Sequence, residues 1–230
     1  MTLDVALPPM RSLGPVRVSC DSFDGHPAYA RLLADAPRTG ACPVWITEPD
    51  RLQLPPDLQA AVAAVARADP EAFMADRWTQ NCPFCGCRDP FDEFPGLQPA
   101  LSPVDDPVVA AARMTAGPAR AHLAIVPVSR PADTVAALGW TGACDYREDV
   151  AGLSAVLRSW EDRFGAMLVR MDVSTLWVSV ASPPRTADEC RRVAAEHFTF
   201  CRDVDWEDPR PLRAYAGTLL GKTTWRFWWD

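Results

Sequence analysis

The sequence has 230 residues, 48% hydrophobic and 23% charged, which gives enough apolar material for one large domain or two small ones. A formal net charge of −7 argues against a large phosphate-binding surface, and no apolar run approaches the ~18 residues of a membrane span. The N-terminus also lacks the basic and apolar regions of a signal peptide. We therefore expect a cytoplasmic protein with no nucleic-acid partner and no membrane partner.

The eight cysteines favour reduced thiols or metal ligands over a disulfide framework, because the chain is long and shows no export signal. The basic residues are almost all arginine, since Lys222 is the only lysine among 23 lysines and arginines. Together with the abundant alanine and proline, this bias is typical of a GC-rich bacterial genome.

The first half of the chain predicts a helix-rich region. The first 25 residues show no sustained period, and a helix ending at Gly40 then leads to a strand from Cys42 to Thr47. Two helices follow, one after Pro55 and one at Asp69-Pro70, where an N-cap residue precedes a first-turn proline. Residues 79–107 then contain six prolines and no period, which is typical of a functional, disordered or linker segment.

The second half has regular patterns that predict a strand, a helix, two strands, two helices and a last strand. The strands are predicted at 121–128, 167–171, 176–180 and 225–230. The longer helices are predicted at 150–164, from 186 and from 208, and a short helix at 132–138. The order indicates an α+β fold whose sheet is mainly antiparallel or mixed, with helices packed on one face. A variable, smaller helix-rich part at 1–118 would precede an α+β domain at 119–230.

Four segments carry a resemblance to a known family: Gly139–Tyr146, Leu153–Gly165, Ala195–Cys201 and Trp225–Asp230. They resemble the domain-of-unknown-function 4253 family, a bacterial family common in actinomycetes, over about residues 120–230. The resemblance supports the predicted domain boundary. It implies no activity, because the family has none that could be transferred to this chain.

The motif Cys82-Pro-Phe-Cys85-Gly-Cys87 is the most suggestive short pattern for chemistry. Two thiolates at this spacing can hold one Zn²⁺ in a tight knuckle, and Cys87 together with a distant cysteine or histidine would complete the four ligands. The same residues match a glutaredoxin-type active site, but that site follows a strand and opens a helix, whereas this motif follows a helix. Three loop cysteines without metal are the other interpretation.

His197 and Cys201 are four residues apart on one helix face. This spacing could present an imidazole and a thiolate to a metal, and joining them to Cys82 and Cys85 would give a Cys₃His ligand set. The rest of the face is apolar, so a packed helix with one hydrogen-bonded histidine is the alternative.

The last strand places aromatic area on both of its faces, because Trp225, Phe227 and Trp229 alternate with Arg226 and Trp228. One face must be core. If Trp228 and Trp177 stay exposed, they form with Arg226 a surface for a protein partner, since tryptophan and arginine supply much of the energy of binding. The alternative is a sheet covered by helices on one face and by the N-terminal half on the other.

Signatures of phosphate loops, dinucleotide sites, zinc proteases and serine hydrolases are absent from the sequence, which argues against an enzyme. The sequence therefore predicts a non-catalytic protein-interaction module, such as a regulatory partner or a toxin-neutralising protein. The alternative function is a zinc-binding protein, structural or hydrolytic, built on the Cys82, Cys85 and Cys87 knuckle.

Overall fold

The computed structural model of this protein describes residues 6–79, 90–114, 120–142, 149–201 and 212–229. These residues form a mixed seven-stranded sheet with eight α-helices packed against it, which confirms the predicted α+β class. Within these ranges, no helix combines the length and the apolar composition needed to cross a bilayer.

The strands and helices are numbered in chain order. The strands are β1 (Met10–Leu13), β2 (Val16–Ser19), β3 (Cys42–Ile46), β4 (His122–Val126), β5 (Ala166–Met171), β6 (Thr175–Val180) and β7 (Thr224–Trp228). The helices are α1 (Ala28–Thr39), α2 (Leu58–Val65), α3 (Pro70–Thr79), α4 (Pro107–Met114), α5 (Thr134–Ala137), α6 (Val150–Phe164), α7 (Ala187–Phe200) and α8 (Leu212–Gly217).

The sheet has the strand order β1-β2-β4-β3-β5-β6-β7. Every neighbouring pair is antiparallel except β3 and β5, which are parallel. The carboxyl ends of β3 and β5 therefore meet at the same end of the sheet. Strand β7 is the last in this order, so one of its two sides has no neighbour among the described strands.

Helices cover both faces of the sheet, one face more fully than the other. On the first face, Trp160 of α6 and Phe200 of α7 pack against Phe227 of β7. On the second face, Tyr29 of α1 stacks on Trp45 of β3, and α4 packs beside α1 over β5 and β6. The prediction of helices on one face only is thus wrong, and α1 and α4 match the alternative in which the N-terminal half covers the other face. The second layer follows from β3, whose five residues are all buried and require cover on both sides.

Local capping signals place the two long helices of the C-terminal half. Asp149 accepts a hydrogen bond from the Ala151 amide at the start of α6, and Gly165 ends that helix at φ +55°. The predicted capping box at the start of α7 is present, because Thr186 and Glu189 each accept from the other's backbone amide.

Residues 90–106, the described part of the predicted proline-rich stretch, form no helix or strand but are tied to the sheet and its helices. The Gln98 amide donates to the Glu196 carboxylate, the Leu101 amide to the Arg163 carbonyl, and the Val104 amide to the Ala181 carbonyl. The segment leads directly into α4, which the sequence patterns did not predict.

Both predicted domains contribute to the same sheet and the same core. Strands β1, β2 and β3 come from the predicted N-terminal region, and β4 to β7 come from the predicted α+β domain. Strand β4 pairs with β2 and β3 only, and β3 is the neighbour of β5. The connection between the two halves is therefore a continuous hydrogen-bonded sheet.

Candidate functional site

On the second face, α4 reaches as far as β6, so among the described elements β7 and the adjoining side of β6 are left without a covering helix. We call Trp177, Arg226 and Trp228 the β6–β7 outer face. Strand β7 alternates as predicted, with Trp225 and Phe227 buried against the helices and Arg226 and Trp228 directed outward. Trp228 keeps 39% of its surface exposed, which is unusual for the largest apolar side chain. The structure thus brings all three residues of the predicted partner surface together, with Trp228 exposed and Trp177 half-buried.

Arg226 and Trp177 are directly opposite each other across the two strands. The guanidinium carbon lies 5.3 Å from the centre of the Trp177 ring, within the range of a cation–π contact. The indole N–H of Trp177 points to Asp172 Oδ2 at 3.4 Å, and Arg170 Nε donates to Asp172 Oδ1 at 2.9 Å. Asp172 therefore already has a cation, whereas Arg226 has no ion pair within the described residues.

A small cleft of about 50 Å³ opens at the carboxyl ends of β3 and β5. Crevices at the carboxyl ends of parallel strands are the usual binding places in sheets of this kind. The polar or amphipathic side chains that line it are Glu48, Arg51, Gln53, Trp140, Thr141 and Asp172. Its volume admits a few water molecules or the end of one side chain, and not a whole metabolite.

Gly139 of the family-like segment lines this cleft, and Gly142 follows the lining residues Trp140 and Thr141. Gly139 has φ +58°, and a Cβ atom there would lie 2.3 Å from the Gln53 carbonyl oxygen. A Cβ atom on Gly142 would lie 2.2 Å from the Trp140 ring and 2.3 Å from the Val173 carbonyl oxygen. Both positions therefore require glycine for the chain to pack this closely around Trp140.

The cleft and the β6–β7 outer face adjoin each other at the turn between β5 and β6. The Asp172 carbonyl accepts a hydrogen bond from the Trp140 indole at 2.9 Å on the cleft side, while its carboxylate faces Trp177. The next residue, Val173, lines the cleft with 40% of its surface exposed. Val173 and Trp228 thus add exposed apolar area around a polar centre.

His197 and Cys201 are buried in the aromatic core. His197 Nδ1 lies 2.9 Å from the Tyr215 hydroxyl, and the ring makes edge contacts with Trp160 and Trp225. Burial, helped by the charge of Lys222, lowers the pKa of His197 well below its usual value, which keeps the imidazole neutral.

The Cys201 thiol donates to the Trp228 carbonyl at 3.0 Å. This bond, together with the contacts of His197, matches the alternative of a packed helix face with one hydrogen-bonded histidine. In the described part of the chain, no group of three or more histidine, cysteine or acidic residues could hold a metal ion.

The cysteine knuckle at Cys82, Cys85 and Cys87 lies outside the described residues. The predicted zinc site, including the hybrid site with His197 and Cys201, therefore stays a prediction.

The sequence patterns did not point to Glu48, Arg51 or Asp172 as neighbours. Each lies just after a strand, but only the parallel pairing of β3 with β5 brings them to one cleft. The available signal was the segment from Gly139 to Gly142, where two glycines bracket a tryptophan and a threonine.

Comparison with known proteins identifies one family. Residues 122–230 match the model of a family described as a domain of unknown function (DUF4253). This match confirms the resemblance seen in the sequence. No curated protein and no solved structure matches the chain significantly.

Proposed function

We propose that this protein, whose residues 122–230 match the DUF4253 family, is a non-catalytic protein-interaction module. The description of that family assigns no activity. The binding surface is the β6–β7 outer face, extended at one end by Val173 and the adjoining cleft. Tryptophan and arginine are the residue types most enriched among those that dominate binding energy.

The observation that carries this proposal is the pairing of an exposed indole with a cation that has no ion pair in the described part of the chain. Trp228 is exposed to 39%, and Arg226 beside it contacts the Trp177 ring without an ion pair among the described residues. Such a site gives a partner both apolar area and a charge to neutralise. Among the described residues, no group of three or more histidine, cysteine or acidic side chains lies beside it that could hold a catalytic metal ion.

Affinity capture from a lysate of the source cells tests the proposal. The wild-type chain is compared with a Trp228→Ser, Arg226→Ser double variant and with Leu220→Ser, which removes a 61% exposed apolar side chain outside this surface. We expect a partner to be retained by the wild type and by Leu220→Ser and to be lost from the double variant. Retention of the same proteins by all three chains, or by none, would contradict the proposal.

Metal analysis separates this proposal from the zinc-binding alternative. The alternative expects stoichiometric zinc that is lost when Cys82 and Cys85 are both replaced by serine, together with a lower melting temperature. The interaction module requires neither effect. A metal-free protein, together with an unchanged melting temperature in the double serine variant, would contradict the zinc-binding alternative.

A further inference from the structure

On the side of β7 away from β6, the strand presents backbone groups that no other described strand uses. The Trp229 amide donates to the Ser174 carbonyl, and the Val180 amide donates to the Thr223 carbonyl. In an antiparallel pair, hydrogen-bonded residues alternate with residues whose N–H and C=O groups point away from the partner strand. Given the register of β6 and β7, the outward-pointing groups belong to Thr224, Arg226 and Trp228.

One of these outward groups, the Trp228 carbonyl, already has a hydrogen-bond partner. The Trp228 carbonyl accepts from the Cys201 thiol, which lies on the side of β7 away from β6. The outward N–H and C=O groups of Thr224 and Arg226 have no partner within the described residues. Unpaired strand edges of this kind are templates for a further strand.

The side chains beside this edge specify the charge of an added strand. Thr224, Arg226 and Trp228 alternate onto the outer face, so each would face one residue of the incoming strand. Arg226 has no ion pair among the described residues, and an acidic residue opposite it would supply one. Trp228 would face an apolar residue, because its exposed indole gains from burial.

A second copy of this chain is a poorer occupant of the edge. Antiparallel pairing of two β7 strands centred on Arg226 would place the two guanidinium groups directly opposite each other, and like charges in that arrangement destabilise the pair. A foreign strand with a carboxylate at the central position has the complementary charge.

We propose that the partner binds by adding an extended, acidic segment as an eighth strand beside Thr224–Trp228, with its backbone hydrogen bonds made to Thr224 and Arg226, because Cys201 already bonds the Trp228 carbonyl. The added strand runs antiparallel to β7, so its first residue on the outer face lies opposite Trp228 and is apolar. Two positions later an acidic residue lies opposite Arg226, and two positions after that a β-branched residue lies opposite Thr224. This inference rests on the proposed function and specifies its mode of binding.

The probe is the acetylated, amidated peptide Ser-Val-Ser-Glu-Ser-Thr-Ser, with a twin that carries lysine in place of glutamate. Each is titrated to about 2 mM against the full chain, and amide hydrogen exchange is followed by NMR. We expect the glutamate peptide to slow exchange at the outward amides of Thr224 and Arg226 by about tenfold or more. The lysine twin should bind about tenfold more weakly.

Two variants give this experiment its specificity. Arg226→Pro removes the outward N–H but no bond to β6, because proline is tolerated where a strand's N–H faces away from the sheet. It should lower the affinity for the glutamate peptide about tenfold or more, whereas Arg226→Ala keeps the backbone donor and should lose only the charge preference. Arg226→Glu should reverse that preference and favour the lysine twin.

Three outcomes would overturn the inference. The first is that the glutamate peptide gives no protection from exchange at Thr224 and Arg226. The second is unchanged peptide binding by Arg226→Pro together with an unreversed charge preference in Arg226→Glu, and the third is a dimer in sedimentation that Arg226→Pro abolishes. The last result would assign the edge to a second copy. If the peptide fails but capture of a partner still depends on Trp228, the interaction module stands and only strand addition is lost. If no partner is captured, the proposed function itself fails.

Discussion

At the scale of single residues, Glu161 shows how burial and ion pairing compete. Its carboxylate accepts from Arg130 Nε at 2.7 Å and from the Ala132 amide at 2.6 Å. Burial in α6 raises the pKa of Glu161 to about 7, because the cost of removing the charge from water exceeds what Arg130 returns, and Asp133 nearby adds to the rise.

Glu161 should therefore make the protein less stable as the pH rises. Its folded-state pKa lies above the unfolded value, so its contribution to the free energy of unfolding is full below about pH 4.5 and is lost as the pH approaches 7. We expect the difference in unfolding free energy between the wild type and Glu161→Gln to fall by about 2–3 kcal/mol across this interval. Urea denaturation at a series of pH values measures it, and a difference that does not change with pH would contradict the assignment.

Gly139 supports the cleft through its conformation and its lack of a side chain. Replacing it with alanine adds both the cost of a positive φ and a clash with the Gln53 carbonyl oxygen. Gly40 is the matched control, because it has φ +65° but open space around the Cβ position. We expect Gly40→Ala to lower the unfolding free energy by about 1 kcal/mol and Gly139→Ala by about 3 kcal/mol. Equal losses of unfolding free energy in thermal denaturation would mean that the backbone around the cleft shifts to accommodate the added methyl group at little cost.

At the scale of elements, one buried carboxylate joins two helices to the segment at 90–106. Glu196 of α7 is fully buried and accepts from both terminal nitrogens of Arg163 at 2.7 and 2.8 Å. It also accepts from the Trp160 indole and the Gln98 amide, each at 2.7 Å. All the strong acceptor positions of the carboxylate are therefore occupied, as a buried charge requires.

Removing Glu196 should be costly, because Arg163 would remain as a nearly buried charge without its partner. We expect Glu196→Ala to lower the unfolding free energy by about 3–5 kcal/mol and to speed hydrogen exchange at the Gln98 amide. Asp188→Ala on the same helix is the control, since its contacts with Arg191 and Arg192 are at the surface and contribute about 0.5 kcal/mol or less. Similar losses for the two variants would contradict an anchoring role.

The elements that could be predicted from the sequence are those specified by neighbouring residues. Helix α6 spans Val150–Phe164, the range that its apolar pattern predicts, and β7 alternates as its aromatic residues require. The parallel contact of β3 with β5 could not be predicted, because it depends on strands separated by more than 100 residues. The cleft depends on that contact, whereas the β6–β7 outer face depends on neighbouring strands and could be predicted.

At the scale of the whole molecule, the family match and the sheet divide the chain differently. The match begins at residue 122, at the start of β4, and the sequence patterns predict a separate domain at 119–230. Both neighbours of β4 come from before that boundary, and so does the strand that lies beside β5. Helices α1 and α4, which cover the second face, also come from the first half.

We therefore expect a fragment of residues 119–230 not to fold by itself. Strand β4 would have no neighbour, β5 would become an edge, and the buried side chains of the second face would be exposed to water. Circular dichroism should show no cooperative thermal transition for this fragment, and its amide NMR spectrum should lack dispersion. Adding a separately produced fragment of residues 1–118 is the control, because pairing of β2 and β3 with β4 would restore the sheet and the transition. A cooperative transition in the fragment alone would contradict this expectation. It would mean that the packing of α6 and α7 on β5, β6 and β7 is a sufficient core, and that the strands before residue 119 are added to an independent domain.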